Sequence, residues 1–160
     1  MDIECTDYDA KEFLSASFPS KNEHQNLITL CGAPDWFLLL WDIENISVLS
    51  KINIGIQGFT AQINMKGGAA DREPNHNLMC SYNPFDSERV VVTGEDTFKV
   101  YKIEDGQFDT VLTLITGNDR EITTRYTCHA WTHDGELIVA TELGEIIVLD
   151  NYGQYLGFVS

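Results

Sequence analysis

Positive charge is scarce in this chain. Ten lysines and arginines stand against 25 aspartates and glutamates, for a formal net charge of -15. No basic stripe offsets that total. Such a surface repels a phosphate backbone, so the sequence predicts no nucleic-acid and no membrane partner. Basic protein surfaces are what its field would steer. Long apolar runs are also missing. The most apolar stretch, Trp36–Trp41 (WFLLLW), is far too short to cross a bilayer and fits a buried strand. The N-terminal MDIECTDYDAKEF is acidic and has neither the basic nor the apolar segment of a signal peptide.

Cysteine is sparse and unpaired in its spacing. Cys5, Cys31, Cys80 and Cys128 contain no CxxC pair and no metal-like interval. Cys31, Cys80 and Cys128 lie within or beside apolar runs, which predicts buried thiols in a reducing compartment.

Recognisable chemistry is missing as well. The histidines are His24, His76, His129 and His133. The i,i+4 spacing of His129 and His133 would place both on one side of a helix, but CHAWTHDG reads as a strand and then a turn. His129 is therefore expected to be structural and hydrogen-bonded to a neighbouring strand. Acidic pairs such as Glu95-Asp96 and Asp134/Glu136 read as turn residues, and no spacing sets two carboxylates across a cleft as glycoside hydrolysis needs. HDGE and IEDGQF lack the alternating ligands of a calcium loop. KGGAAD (Lys66–Asp71) has adjacent glycines without the Lys-Ser/Thr of a phosphate loop, and no GxSxG elbow occurs. The expectation is a non-enzyme with no catalytic residue, no cofactor and no metal.

What the sequence does contain is a recurring strand pattern. CSYNPFDSERVVVTGEDTFKVYKI (Cys80–Ile103) returns as HAWTHDGELIVATELGEIIVLDNY (His129–Tyr152). A fainter copy, SFPSKNEHQNLITLCGAPDWFLLLWDI (Ser17–Ile43), precedes both. Each gives an aromatic, a polar turn, a short apolar run, a tight turn and a longer apolar run. That is the repeat of a β-propeller blade. The predicted fold is all-β: residues 1–160 form a WD40-like β-propeller fragment of three four-stranded antiparallel blades in an incomplete ring. The blades span residues 12–52, 78–115 and 126–159, with an insert at 53–77. A small β-sandwich would have a similar strand count, but the repeated order of turns and runs favours blades.

The expected strands of the first blade are Phe13–Phe18, Asn26–Cys31, Asp35–Ile43 and Ser47–Ile52. Those of the second are Leu78–Tyr82, Arg89–Thr93, Thr97–Ile103 and Phe108–Ile115. Those of the third are Tyr126–Trp131, Glu136–Thr141, Glu145–Asp150 and Gln154–Val159. Helix signals are weak, and only Tyr8–Ala16 could start one. The insert Asn53–Asn77 and the polar connector Gly117–Thr124 read as rim loops able to carry contacts.

Several positions recur from blade to blade. Phe18, Tyr82 and Trp131 fall near the end of each first strand and are expected to pack in the core or between blades. Trp41 and Tyr101 recur near the end of the third strand, with Leu149 in that place in the third blade. Trp41-Asp42 is a literal WD dipeptide, matched by Tyr101-Lys102 and Leu149-Asp150. Phe18, Trp41, Asp42, Tyr82, Tyr101, Trp131 and Asp150 are thus the expected structural blade positions.

The run Met79–Phe108 resembles the divergent WD-repeat region of large cilia- and flagella-associated proteins. The matching parts are Ser81-Tyr82-Asn83-Pro84, Val91-Val92-Thr93-Gly94 and Phe98-Lys99-Val100-Tyr101, followed by an acidic-Gly turn. His129–Gln154 is similar to the blade that follows in that group. The resemblance covers residues 78–159 well and 12–52 loosely, and departs in lacking the WD dipeptide in the second and third blades. It implies tandem propellers followed by coiled coil, in scaffolds that tether or position dynein complexes on axonemal doublet microtubules, with no catalytic residues. This chain has no coiled-coil heptads of its own. The resemblance implies a non-enzymatic interaction module of the cytoplasm and cytoskeleton, in the axoneme of a cilium or flagellum. Its partners would be other axonemal proteins or the remaining blades of the same propeller. The chain's acidity argues against direct contact with the acidic surface of tubulin. Two other readings are a WD-repeat adaptor in a soluble intracellular complex outside cilia, and a propeller enzyme, which would need a metal or carboxylate cluster that the sequence does not show.

Overall fold

The computed structural model describes residues 12–20, 26–32, 36–54, 77–94, 97–113 and 125–159. These residues form three four-stranded antiparallel sheets, each a simple meander. The first sheet contains β1 (Phe13–Ser17), β2 (Asn26–Cys31), β3 (Phe37–Asp42) and β4 (Ser47–Asn53). The second contains β5 (Met79–Asn83), β6 (Asp86–Gly94), β7 (Thr97–Glu104) and β8 (Gln107–Thr113). The third contains β9 (Tyr126–Trp131), β10 (Leu137–Thr141), β11 (Ile146–Leu149) and β12 (Tyr155–Val159). Among the described residues the first sheet packs on the second and the second on the third, in an open array. Strands β2 and β9 coincide with the runs expected from sequence. The largest shift is at β6, which starts at Asp86 instead of Arg89 because Asn83 pairs directly with Asp86 and leaves only Pro84 and Phe85 to turn the chain. Most of the expected insert, the connector 117–124 and residues 8–11 of the weak helix signal lie outside the described residues; Phe13–Ser17 is strand.

The turns follow from local chemistry. Asp105 and Gly106 both have positive φ, at 50° and 72°, between the paired residues Glu104 and Gln107. This is the two-residue Asp-Gly hairpin whose twist matches that of the strands it joins. In the first sheet, Asn45 caps Asp42: its backbone N–H lies 3.1 Å from Oδ1 and its side-chain amide donates to Oδ2 at 2.7 Å. The Asn45 side chain, and then its N–H, hold the Asp42 carboxyl below its ordinary pKa. Asp150 does the same work in the third sheet, where Oδ1 accepts from the N–H groups of Tyr152 at 2.8 Å and Gln154 at 2.7 Å.

One irregularity recurs in all three sheets. The pairing of third and fourth strands slips between Leu40 and Trp41, between Val100 and Tyr101, and between Val148 and Leu149. Leu49, Val111 and Leu156 are the extra residues on the fourth strands, and all three are exposed. A β-bulge twists its strand and blunts an edge against pairing with another chain. The bulge also makes Trp41, Tyr101 and Leu149 residue-for-residue equivalents.

Two buried clusters join the sheets. Ile28, Leu30, Leu38 and Leu40 of the first sheet meet Cys80, Tyr82, Val90, Val92, Tyr101 and Ile103 of the second. Val91, Phe98 and Val100 on the other face of the second sheet meet Tyr126, Leu137, Val139, Ile147 and Leu149 of the third. Successive strand residues point to opposite faces, so the run Val90-Val91-Val92 feeds both interfaces. A third cluster, Cys31, Leu39 and Trp41, lies on the first sheet's other face.

The hydroxyls of Tyr82 and Tyr101 are buried in the first interface without a hydrogen-bond partner among the described residues. Burial pushes both phenols up, Tyr101 to about 12. The ring of Tyr101 contributes packing, and its hydroxyl costs desolvation. Tyr101→Phe is therefore expected to leave stability unchanged or raise it by about 1 kcal/mol in urea denaturation. Tyr101→Ala should cost about 3–5 kcal/mol through cavity formation. A clear loss in the Phe variant would show that the hydroxyl is bonded after all.

Candidate functional site

The sites available to a chain of this kind are its sheet-to-sheet contacts and its rims. The recurring positions named from sequence separate into three groups once the sheets are in place. Trp41, Tyr101 and Leu149 sit at the bulges. Tyr101 faces the first sheet and Leu149 the second, while Trp41 lies on the face of the first sheet turned away from the second. Trp41 is held there by a hydrogen bond from Nε1 to Thr29 Oγ1 at 2.8 Å and by a T-shaped contact with the Phe13 ring. Asp42 and Asp150 organise turns, as described above.

Tyr82 pairs with Val90 and Trp131 with Leu137, so both aromatics occupy the same row of their sheets. Tyr82 is buried against the first sheet, and Trp131 packs half-buried against the second. Phe18 follows Ser17, which pairs with Ile28, and it occupies the corresponding place just past β1. It differs from the packing expected of it, because its ring is 62% exposed. The physical reason is positional: Tyr82 and Trp131 are each covered by the preceding sheet, and no sheet precedes the first among the described residues.

The inner strands β1, β5 and β9 are stitched together by side chains in place of a backbone ladder. Cys80 N donates to Ser15 Oγ at 3.2 Å, and Ser15 Oγ lies 3.4 Å from Cys80 O. Tyr82 N donates to Ser17 Oγ at 3.2 Å. These serines satisfy backbone groups on the edge of β5 that β6 does not reach. Between the second and third sheets the link is a four-residue polar bridge. Trp131 Nε1 donates to Ser81 Oγ at 3.0 Å, Ser81 Oγ lies 2.7 Å from His129 Nε2, and Thr93 Oγ1 lies 2.7 Å from His129 Nδ1. A neutral imidazole has one donor and one acceptor, and the two hydroxyls complement either tautomer. His129 is bonded to neighbouring strands, as its sequence context suggested. The bridge as a whole was not apparent from sequence, since Ser81 and Thr93 are far from His129 in the chain.

His133 sits in an exposed turn beside Asp134, away from this bridge. Cys80 is buried, and burial pushes its thiol up to about 12. Cys31 is buried too, but Cys128 is exposed, a correction to the expectation that all three would be covered. It lies opposite Ala140 on the face of the third sheet turned away from the second, where no described sheet packs. Cys5, His24 and His76 lie outside the described residues. Among the described residues, no three His, Cys, Asp or Glu side chains gather in a way that could hold a metal.

No protein-family model matches the chain. Cilia- and flagella-associated protein 57 of Mus musculus is 23% identical over 148 residues, covering 92% of this chain and 10% of that protein. Cilia- and flagella-associated protein 57 A of Tetrahymena thermophila is 25% identical over 150 residues, covering 91% of this chain and 10% of that protein. The chain therefore spans about a tenth of the length of the curated relatives it matches. Among solved structures, the β-propeller domain of Cps50 (Swd1) from Myceliophteria thermophila matches with a TM-score of 0.63, covering 92% of this chain and 41% of that one at 13% identity. That likeness is one of fold. Together these findings support a divergent WD-repeat region built as propeller blades.

The polar bridge makes a pH prediction. Burial pushes His129 down to about 4 from an ordinary 6.5. The unfolded chain then takes up this proton more readily than the folded one. The stability tied to neutral His129 is complete above the unfolded value and is lost as pH falls toward the folded one. From about pH 7 to about pH 5 this group alone should remove about 2 kcal/mol, read as a falling urea midpoint. His129→Gln, which keeps bonding groups but cannot titrate, should flatten that slope. Equal slopes in the two proteins would place the acid sensitivity elsewhere.

Proposed function

We propose that the chain is a non-enzymatic interaction module of the ciliary or flagellar axoneme, part of a scaffold that helps tether or position dynein-associated complexes on doublet microtubules. The observation that carries this reading is the similarity to two cilia- and flagella-associated proteins across more than nine-tenths of the chain, coincident with three successive blades. Blades are rigid because each is pinned by its neighbour, and they present rims and sheet edges to partners. The outer face of the third sheet adds support. Ala130, Ile138, Val148 and Gly157 lie in one row across it, as do Cys128, Ala140, Ile146 and Val159. Ile138, Val148 and Ile146 repeat the positions from which Val91, Val100 and Phe98 pack onto the third sheet. That face is suited to a further blade, supplied by the same protein or by a partner. On this reading the contacts are with other axonemal proteins, and the acidic surface disfavours direct docking on tubulin.

The test is a cryo-electron map of native axonemes from cells carrying the tagged, full-length protein. Density for these blades beside doublet or dynein components is expected, with a further sheet on the third. Absence from axonemes, with the protein recovered in a soluble complex, would overturn the axonemal reading in favour of an adaptor outside cilia.

A further inference from the structure

The turns that follow the first and third strands of each sheet form one end face, and contacts knit it together across all three sheets. Ser20 Oγ donates to the carbonyl of Pro84, so the chain after β1 touches the β5–β6 turn. Phe85, in that turn, lies against the third sheet: a Cβ at Gly135 would stand 3.3 Å from Phe85 Cδ2. Asn83 Nδ2 donates to Asn151 O at 3.4 Å, and the Arg89 guanidinium lies 4.5 Å from the centre of the Tyr152 ring.

Three aromatic side chains stand on this face, one from each sheet. Phe18, Phe85 and Tyr152 are each more than half exposed. Ile43 and Ile46 are exposed in the β3–β4 turn of the same face. At the opposite end, among the described turn residues, Leu143 is the exposed large apolar side chain. Among the described turn residues apolar exposure is thus heavier at this end, while Phe13, Ile146 and Val159 are exposed at strand ends on the other. Exposed rings that adjoin across three sheets mark a contact surface more often than scattered exposure does.

The formally charged side chains of the described turns on this face are acidic. The described turns of the face carry Glu44, Asp105, Asp134, Glu136 and Asp150 and no lysine or arginine. Arg89, behind them on β6, is held by Asp86 at 2.7 Å and by the Tyr152 ring. Apolar rings set among carboxylates complement a segment that is apolar on one side and cationic on the other. Lysine or arginine from such a segment can also lie over the exposed rings.

We propose that this end face docks a basic, amphipathic segment of a partner protein, with Phe85 and Tyr152 as its apolar anchors. The proposal rests on reading the chain as an interaction module, and it names the chemistry of one partner.

The test is fluorescence anisotropy of a labelled amphipathic leucine–lysine peptide titrated with the whole chain at physiological salt. Saturable binding is expected, weakened about tenfold by Phe85→Ser and likewise by Tyr152→Ser, and unchanged by Leu143→Ser. Asp105→Asn combined with Asp134→Asn should weaken binding and flatten its salt dependence, while Glu142→Gln combined with Glu145→Gln, at the other end, should not. Circular dichroism melts establish that each variant is folded. The proposal is overturned by an absence of saturable binding, or by folded Phe85 and Tyr152 variants that bind as the parent does. Equal weakening by both carboxylate pairs overturns it too, since the attraction would then belong to net charge alone. Self-association abolished by Tyr152→Ser would assign the face to a second copy and also overturn it. Failure here with the protein still found on axonemes removes this surface and leaves the scaffold reading; peptide binding by a protein absent from axonemes does the reverse.

Discussion

The structure depends on the double burial of the second sheet. Its β6 strand sends Val90 and Val92 into the first sheet and Val91 into the third, and β7 divides Tyr101 and Ile103 from Phe98 and Val100 in the same way. A four-stranded sheet with two apolar faces has no stable existence in water by itself. It must be covered twice, and here the covers are its two neighbours in the chain. Stability is therefore carried by interfaces between successive sheets, as in other repeat architectures.

Burial brings polar backbone along with it, and the inner strands show how that cost is met. Strand β5 has a free edge toward β1. Ser15 and Ser17 reach across and supply the oxygen atoms that a further strand would have supplied. Between the second and third sheets the same need is met by His129, with Ser81 and Thr93 on either side of its ring and Trp131 bonded to Ser81. The outer strands are linked more lightly, by Gln107 reaching Ser50 and the carbonyl of Leu49. Hydroxyl groups suit these places because they both donate and accept, so neighbouring sheets can meet at an angle that a backbone ladder would not tolerate.

Much of the fold was legible in the chain. The alternation of turns and apolar runs located all twelve described strands, because turns such as Asp105-Gly106, the Asp42–Asn45 cap and the Asp150 cap have causes that act within a few residues. The equivalence of Trp41, Tyr101 and Leu149 was legible too, and the shared bulge gives it a geometric basis. What was not legible depends on neighbours. Phe18, Tyr82 and Trp131 look alike in sequence, yet Phe18 is exposed because no described sheet precedes it, while Tyr82 is buried and Trp131 half-buried under the sheet before each. Cys128 lies in an apolar run and is nevertheless exposed, because the face it occupies has no packed neighbour among the described residues.

The sequence by itself determined the strands, the turns and their repetition, since these follow from side-chain periodicity and from backbone preferences that reach only a few residues. It also determined the acidity of the surface, which is a sum over residues and needs no arrangement. Only the tertiary structure decided which apolar faces meet, which hydroxyls flank His129, and that Phe85 and Tyr152 share one end face with Phe18. Those relations join residues far apart in the chain, and stacking one sheet on the next is what brings them together.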